Sequence, residues 1–110
     1  MERFVKGDIV VVPFPFSDFS DSKRRPALVL VDLIGDDLIL CQITSKNFND
    51  IYSIPLSQND FSSGSIIRPS NLRPNRLFTA DKNIILKKTG QIKKEKYSAV
   101  TESILELIQL

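Results

Sequence analysis

Apolar residues in this chain occur in short runs of strand length that are separated by turn-forming residues. Residues 8–14 (DIVVVPF) are rich in β-branched side chains, which favour a strand, while Pro13 indicates an edge position or an early end. Residues 26–34 and 37–43 form two further runs, and Gly35-Asp36 between them can supply the positive φ of a tight hairpin turn. The pattern predicts short antiparallel strands.

After these runs the sequence predicts a few more short strands, and only its C-terminal residues have helical spacing. Residues 17–25 are polar and predict a long exposed loop. Further short strands are predicted at residues 52–56, 65–67 and 84–86, with turns at 57–60 and 62–64. Helical spacing of three and four is found in Tyr97, Val100, Ile104, Leu107 and Ile108. The sequence predicts a small barrel with a C-terminal helix packed on it, and its 110 residues fit one domain, 1–110.

Composition removes several classes of chemistry. The chain has no histidine and its acidic residues are scattered, so zinc sites and the usual serine or cysteine triads lack their imidazole. Its one cysteine, Cys41, lies in an apolar run and is expected to pack as a small hydrophobe. With no long apolar stretch and no signal-like N-terminus, we expect a soluble cytoplasmic protein without a membrane contact.

The net charge of +2 is only mildly basic, but lysines are concentrated near the C-terminal end of the predicted sheet. They are Lys87, Lys88, Lys93, Lys94 and Lys96. Such a run usually forms a solvated edge, and we prefer that interpretation to phosphate binding.

Three N-terminal segments resemble the MazF/PemK-like toxin family in their order and spacing: residues 6–12 (KGDIVVV), 25–30 (RPALVL) and 43–45 (ITS). Residues 64–73 (GSIIRPSNLR) resemble the family's strand that carries an arginine, and residues 90–92 with the last helix resemble its C-terminal end. The resemblance implies a mainly β SH3-like barrel with a C-terminal helix. It also implies a homodimer that binds RNA across the subunit interface.

The same resemblance implies the toxin of a type II toxin-antitoxin system, an mRNA interferase that cuts single-stranded RNA. Its cognate antitoxin is expected to occupy the RNA groove, and the pair to bind operator DNA. RNA can be cleaved by its own 2′-hydroxyl when the protein orients the phosphate, moves two protons and stabilises the added negative charge. We therefore expect neither metal nor cofactor.

Arg25 precedes Pro26, at the end of the predicted loop. Its planar set of donors suits a scissile phosphate, and the resemblance implies that it is catalytic. Without that resemblance, a loop arginine that stacks on Phe14 or pairs with Asp21 would be the usual interpretation.

Thr44 and Ser45 follow a predicted strand where it leaves the sheet, so their hydroxyls and amides can donate to a phosphate. The resemblance places Thr44 in the active site, and Ser45 is a candidate for substrate binding. The alternative is a strand-end turn in which the hydroxyls bond to nearby backbone.

Arg68 matches the family's strand arginine, and the resemblance makes it a third candidate catalytic residue. Two residues later some members carry an acid, whereas this chain has Ser70, whose hydroxyl accepts a proton poorly near neutral pH. Either Asp18 or Asp21 substitutes, or activity is weak. Ser70 and Asp21 are retained as candidates for substrate binding.

The predicted loop also departs from the family, since many members have a glutamate and glycines before the arginine-proline pair. Cleavage preference therefore cannot be transferred to this chain. Phe14, Phe16 and Phe19 lie on or near the loop and are able to stack on unpaired bases, with Phe14 expected in the core and Phe19 free.

Two alternatives to the ribonuclease toxin remain. One is a non-catalytic module of this fold that binds nucleic acid or antitoxin, and the other is a purely protein-binding barrel.

Overall fold

The computed structural model describes residues 3–14, 23–46 and 50–110. Within these ranges seven strands form one antiparallel sheet in the order β4-β6-β3-β2-β1-β7-β5, followed in sequence by one helix, α1. The strands are β1 Asp8–Phe14, β2 Lys23–Asp32, β3 Asp37–Thr44, β4 Ile54–Leu56, β5 Phe61–Gly64, β6 Ser70–Asp81 and β7 Lys87–Ile92, and α1 is Lys94–Ile108. Short 3₁₀ turns occupy Gln58–Asp60 and Lys82–Ile84.

The three central strands β1, β2 and β3 are buried on both faces. Alternate residues of an antiparallel strand point to opposite faces, and directly opposed residues share one face. Accordingly Ile9 and its partner Leu28 belong to one hydrophobic cluster, whereas Val10 and its partner Ala27 belong to another. Burial on both faces explains why these strands read as continuous apolar runs instead of alternating ones.

The first cluster is enclosed by the curl of the sheet. Leu56 on β4 and Phe61 on β5 come from opposite ends of the strand order, yet both pack into this cluster. Helix α1 adds Val100, which is fully buried, and the Tyr97 hydroxyl donates a hydrogen bond to the Leu30 carbonyl at 2.8 Å. The sheet thus folds back on itself as a barrel, and the predicted packing of the C-terminal helix is confirmed.

The second cluster is covered by residues outside the central strands. Phe4 and Ala80 belong to it, and Phe78 and Ile85 pack against it. Strand β6 reaches this side after its pairing with β3 is interrupted. Gln42 pairs with Arg73, but the adjacent Cys41 pairs with Leu77. Residues 74–76 are therefore unpaired with β3, which is where a proline such as Pro74 is tolerated.

Two of the predicted short strands are wrong. Residues 65–67 are not a strand; β5 lies just before them, over residues where a turn was predicted. Its sequence FSSG carries no β-branched residue, so the local signal for a strand is weak. Residues 84–86 are not a strand: Ile84 ends the 3₁₀ turn, and the next two residues follow it. The turn begins after Asp81, whose carboxylate accepts a hydrogen bond from the Asn83 amide at 2.8 Å. The strand starts only at Lys87.

Other boundaries also differ from the prediction. The polar segment ends earlier than residue 25, because β2 begins at Lys23 and pairs with the end of β1. Strand β1 is central and not an edge; Pro13 is accommodated because β7 pairs with β1 only as far as Val11. Strand β4 begins at Ile54, after a turn in which the Asp50 carboxylate accepts hydrogen bonds from the backbone amides of Tyr52 and Ser53.

The long strand β6 was not predicted, because its central PNR segment contains no strand signal. The hairpin of β2 and β3 was predicted correctly, and Gly35 in its turn has a φ of 97°. No helix among the described residues is long and apolar enough to cross a membrane.

Candidate active site

A pocket of about 670 Å³ opens on the concave side of the barrel. Its floor and walls come from β1, β2, β3 and β7, together with the segment 65–69 that connects β5 to β6. The residues that line it are Ile9, Val11, Arg24, Arg25, Pro26, Ile43, Thr44, Ser45, Ser65, Ile66, Ile67, Arg68, Ser70, Lys87 and Thr89. Five parts of the chain that are distant in sequence therefore meet in one place.

Most of the candidate residues predicted from the sequence line this pocket. They are Arg25, Thr44, Ser45, Arg68 and Ser70. The other candidates, Asp21 and Phe19, lie outside the described residues, as do Asp18 and Phe16.

All charged side chains in the described lining of the pocket are positive. Among its described lining residues Arg24, Arg25, Arg68 and Lys87 are cationic, and none is a carboxylate. Hydroxyl groups come from Thr44, Ser45, Ser65, Ser70 and Thr89. Cations and hydroxyl donors without a competing acid favour an anion with several oxygen acceptors, such as a phosphodiester.

Arg25 lies within β2 and not at the mouth of a loop. It pairs with Val12 of β1 and is half-buried, so its backbone is fixed by the ladder. The preceding Arg24 is exposed and lines the same pocket. A strand-anchored guanidinium is better preorganised for binding a phosphate than one on a mobile loop.

Thr44 ends β3 and is only 3% exposed. Its hydroxyl oxygen accepts a hydrogen bond from the Lys46 amide at 3.2 Å, and the Lys46 carbonyl accepts from the Asn71 side chain at 3.2 Å. The strand-end turn that was considered as an alternative is thus present. Accepting that bond does not use the proton of the Thr44 hydroxyl, so the turn and phosphate binding are compatible.

Arg68 was predicted on a strand, and this is wrong. It lies in a bend before β6, exposed, where the Ser70 hydroxyl donates to the Arg68 carbonyl at 3.1 Å. Ser70 itself is only 7% exposed. Because this hydroxyl is used by the backbone, the role that the structure shows for Ser70 is to hold the bend that carries Arg68.

An ion pair between the buried Arg73 and the exposed Asp50 lies outside the pocket lining. Arg73 on β6 donates to the Asp50 carboxylate at 3.1 Å, and its side chain is only 7% exposed. Desolvation raises the pKa of the Asp50 carboxyl, but hydrogen bonds from Ser53 and Tyr52 and the charge of Arg73 lower it, and the net pKa is below its usual value. The pair ties the segment after β3 to β6.

Sequence reasoning did not identify several lining residues, namely Arg24, Ser65, Lys87 and Thr89. Lys87 was grouped with four other lysines as a solvated edge. The missing signal was the strand boundary, since a strand starting at Lys87 brings it beside β1.

The chain was compared with known families and structures. The family described as PemK-like, MazF-like toxin of type II toxin-antitoxin system matches residues 5–108. This chain belongs to that family. No curated protein sequence matches it.

Several solved structures share the fold of this chain. The Mycobacterium tuberculosis toxin MazF-mt6 superposes with a TM-score of 0.74 at 16% identity, covering 94% of this chain and 97% of that one. MazF (Form-I) from Deinococcus radiodurans gives a TM-score of 0.74 at 16% identity, with 96% of each chain covered. An endoribonuclease in complex with its cognate antitoxin from Mycobacterial species gives 0.78 at 9% identity, covering 98% and 97%.

These comparisons confirm the predicted family and the predicted fold class, a mainly β SH3-like barrel of the MazF/PemK-like toxin type with a C-terminal helix. At such low identity the likeness to solved structures concerns the fold alone. The roles of individual residues must therefore be argued from the pocket.

Proposed function

We propose that this protein is the toxin of a type II toxin-antitoxin system and acts as a metal-independent endoribonuclease on single-stranded RNA. The observation that carries the proposal is the pocket, in which the described lining brings four cationic side chains together with hydroxyl donors and no acid. A phosphodiester backbone is the polymeric anion that matches this lining.

In the proposed reaction the RNA supplies the nucleophile. The 2′-oxygen attacks the adjacent phosphorus, the bond to the 5′-oxygen breaks, and the products are a 2′,3′-cyclic phosphate and a 5′-hydroxyl. The 2′-hydroxyl loses a proton, and the leaving 5′-oxygen gains one. What the protein must supply is orientation, compensation of the extra negative charge, and proton transfer.

Arg25 is proposed to stabilise the extra charge on the phosphate, since its backbone is held by the β1–β2 ladder and the residue lines the pocket. Thr44 and Arg68 position the same phosphate from two other parts of the lining, the end of β3 and the bend before β6. Ser45, beside Thr44, is exposed and is proposed to contact the substrate backbone.

Proton transfer requires a group that the described lining does not provide, because it contains no carboxylate. We propose Asp21 for this role, with Phe19 stacking on a base of the substrate. Both residues belong to the segment that joins β1 to β2, and β2 starts at Lys23, close in sequence to Arg25.

The proposed partners follow from the family. One structural neighbour is an endoribonuclease in complex with its cognate antitoxin, and we propose that this chain is likewise inhibited by an antitoxin that covers the pocket. We further propose that the protein is a homodimer, that residues 1–110 act as a single toxin domain, and that the toxin with its antitoxin binds operator DNA.

A second candidate function is a non-catalytic nucleic-acid-binding module of the same fold. It is favoured by Ser70, which stands where some family members carry an acid and whose hydroxyl is bonded to the Arg68 carbonyl. This candidate predicts salt-sensitive RNA binding without strand cleavage.

The test is incubation of the purified protein with a long single-stranded RNA, in parallel reactions with and without EDTA, followed by mapping of the ends. The protein is compared with Arg25→Ala and with Arg76→Ala, a matched control in which an exposed arginine outside the pocket is removed. We expect discrete cuts with 5′-hydroxyl ends, a loss of at least about a hundredfold in Arg25→Ala, and unchanged cleavage in Arg76→Ala.

The two candidate functions give different results. RNA that stays intact but shifts in a gel would refute catalysis and support the non-catalytic module. Cleavage that survives in Arg25→Ala would refute the role of this arginine, and cleavage that disappears when EDTA is added would refute the metal-independent mechanism.

A further inference from the structure

Lys87 lies across β1 from the proposed catalytic arginine. In the sheet Val11 of β1 pairs with Lys87 of β7 on one side and with Pro26 of β2 on the other. Two interstrand spacings separate the backbones of Lys87 and Pro26, about 10 Å. Arg25 adjoins Pro26 and also lines the pocket, so Lys87 and Arg25 are carried by the two strands that flank β1.

Two of the other four lysines in the same part of the sequence pair with acids. Lys88 pairs with Asp8 at 3.3 Å, and Lys96 pairs with Asp60 at 3.5 Å. Lys87 forms no salt bridge within the part of the chain that the structure describes. It is exposed and lines the pocket, so its ammonium group is available to an anion bound there.

The wall around Lys87 is fixed by backbone contacts. Thr89 occupies an irregularity in the β1–β7 ladder, where its hydroxyl donates to the Ile9 carbonyl at 3.4 Å. The Thr89 carbonyl accepts from the Ser65 amide at 3.2 Å, which fastens the start of segment 65–69 to β7. The wall that carries Lys87 and the segment that carries Arg68 are therefore held together.

The described lining of the pocket contains no aromatic side chain on which a base could stack. The described lining therefore offers no stacking platform, and its cations suit contacts to the phosphate and sugar backbone of the RNA. A lysine ammonium suits this task as a point charge.

We propose that Lys87 binds a second phosphate of the RNA, flanking the scissile phosphate that Arg25 binds. This inference rests on the proposed function and adds a substrate-positioning residue to it. The pocket then holds a stretch of RNA that crosses β1. One phosphate of the RNA contacts the residues of β2 and β3, and a neighbouring phosphate contacts Lys87 on β7.

The proposal is tested by the salt dependence of binding. The probe is a fluorescent single-stranded oligonucleotide with 2′-O-methyl groups, which the protein can bind but cannot cut by 2′-oxygen attack. Each phosphate contact to a single strand contributes about 0.7 to the slope of log K against log salt concentration. We expect Lys87→Gln to reduce the slope by about this amount, and Lys94→Gln, an equal charge change on an exposed residue outside the pocket, to leave it unchanged.

Cleavage kinetics separate positioning from chemistry. With an unmodified RNA, Lys87→Gln should raise KM several-fold and leave kcat within about twofold, whereas Arg25→Ala should lower kcat. An unchanged slope for Lys87→Gln, or one reduced equally by Lys94→Gln, would overturn the proposal. A fall in kcat with KM unchanged would also overturn it, because Lys87 would then act on the reacting phosphate.

These results are distinct from failure of the proposed function. The unsubstituted protein tests that function, since it must cut unmodified RNA with EDTA present. If it cuts RNA but Lys87→Gln keeps the full salt slope, only the Lys87 proposal fails. If the unsubstituted protein binds no RNA, both proposals fail.

Discussion

Replacing Gly64 by alanine tests the close approach of β5 to β7, which fixes the segment that carries Arg68. Gly64 has a φ of +74°, and a Cβ added there would overlap the Thr89 carbonyl and the Gly90 backbone. An L-residue in this left-handed region costs about 1–2 kcal/mol. Forcing a methyl group into packed backbone costs about 1–3 kcal/mol more. We therefore expect Gly64→Ala to lower the free energy of unfolding by about 2–5 kcal/mol.

Two other glycines separate these costs. Gly35 has a φ of +97° with nothing within 4 Å of an added Cβ, so Gly35→Ala should cost only the conformational part, about 1–2 kcal/mol. Gly90 is not among the positive-φ glycines, but its Cβ would lie 2.6 Å from the Ser63 carbonyl oxygen, so Gly90→Ala should cost mainly the overlap. The reduced flexibility of the unfolded chain is common to all three variants and cancels in their differences.

The measurement is urea unfolding of the four proteins, with unfolding free energies compared at a common m value. In thermal unfolding of a chain of this size, each kcal/mol corresponds to roughly 4 °C in Tm. If Gly64→Ala and Gly35→Ala are destabilised equally, within about 0.5 kcal/mol, the close contact between β5 and β7 has no energetic effect and the reasoning is refuted.

Three further predictions concern groups outside the pocket. Burial raises the pKa of the Cys41 thiol from 9.0 to about 12, so DTNB should modify it at least about a thousandfold more slowly in the native protein than in urea; comparable rates would contradict its burial. The pKa of Asp50 is lowered in the folded state, so the stability it confers is present above its unfolded pKa of about 3.9 and is lost as pH falls below that value. Asp50→Asn should therefore flatten the loss of unfolding free energy as the pH falls below about 4, and an unchanged pH dependence there would contradict the contribution of its pairing with Arg73. Tyr97→Phe should cost about 1 kcal/mol by removing the hydrogen bond to the Leu30 carbonyl, as measured by urea unfolding, and a neutral effect would show that solvent replaces the bond.

Parts of the fold could be predicted from local sequence because the physical cause is local. Residues 9–12 are all β-branched, Gly35 permits the turn between β2 and β3, and apolar spacing from Tyr97 onward indicates the helix. Each of these signals spans a few residues, and each prediction was confirmed. The order of the resembling segments also led to the family, which the match over residues 5–108 confirms.

Other elements could not be predicted because their cause is distant in sequence. Strand β5 has a polar sequence and exists because Gly64 and Gly90 let two backbones approach closely. Strand β6 continues through Pro74 because a bulge leaves residues 74–76 unpaired with β3. Local propensity gives no sign of either arrangement, since the stabilising contacts come from the partner strands.

The same distinction applies to the site. From the sequence and its resemblance to the family, Arg25, Thr44 and Arg68 could be named as candidates for phosphate chemistry. Only the tertiary structure decided that β1, β2, β3, β7 and segment 65–69 line one pocket, and that Lys87 belongs to it while Lys88 pairs with Asp8. The reason is physical: residue type is written in the sequence, but which cations share a pocket depends on strand register and on the curl of the sheet.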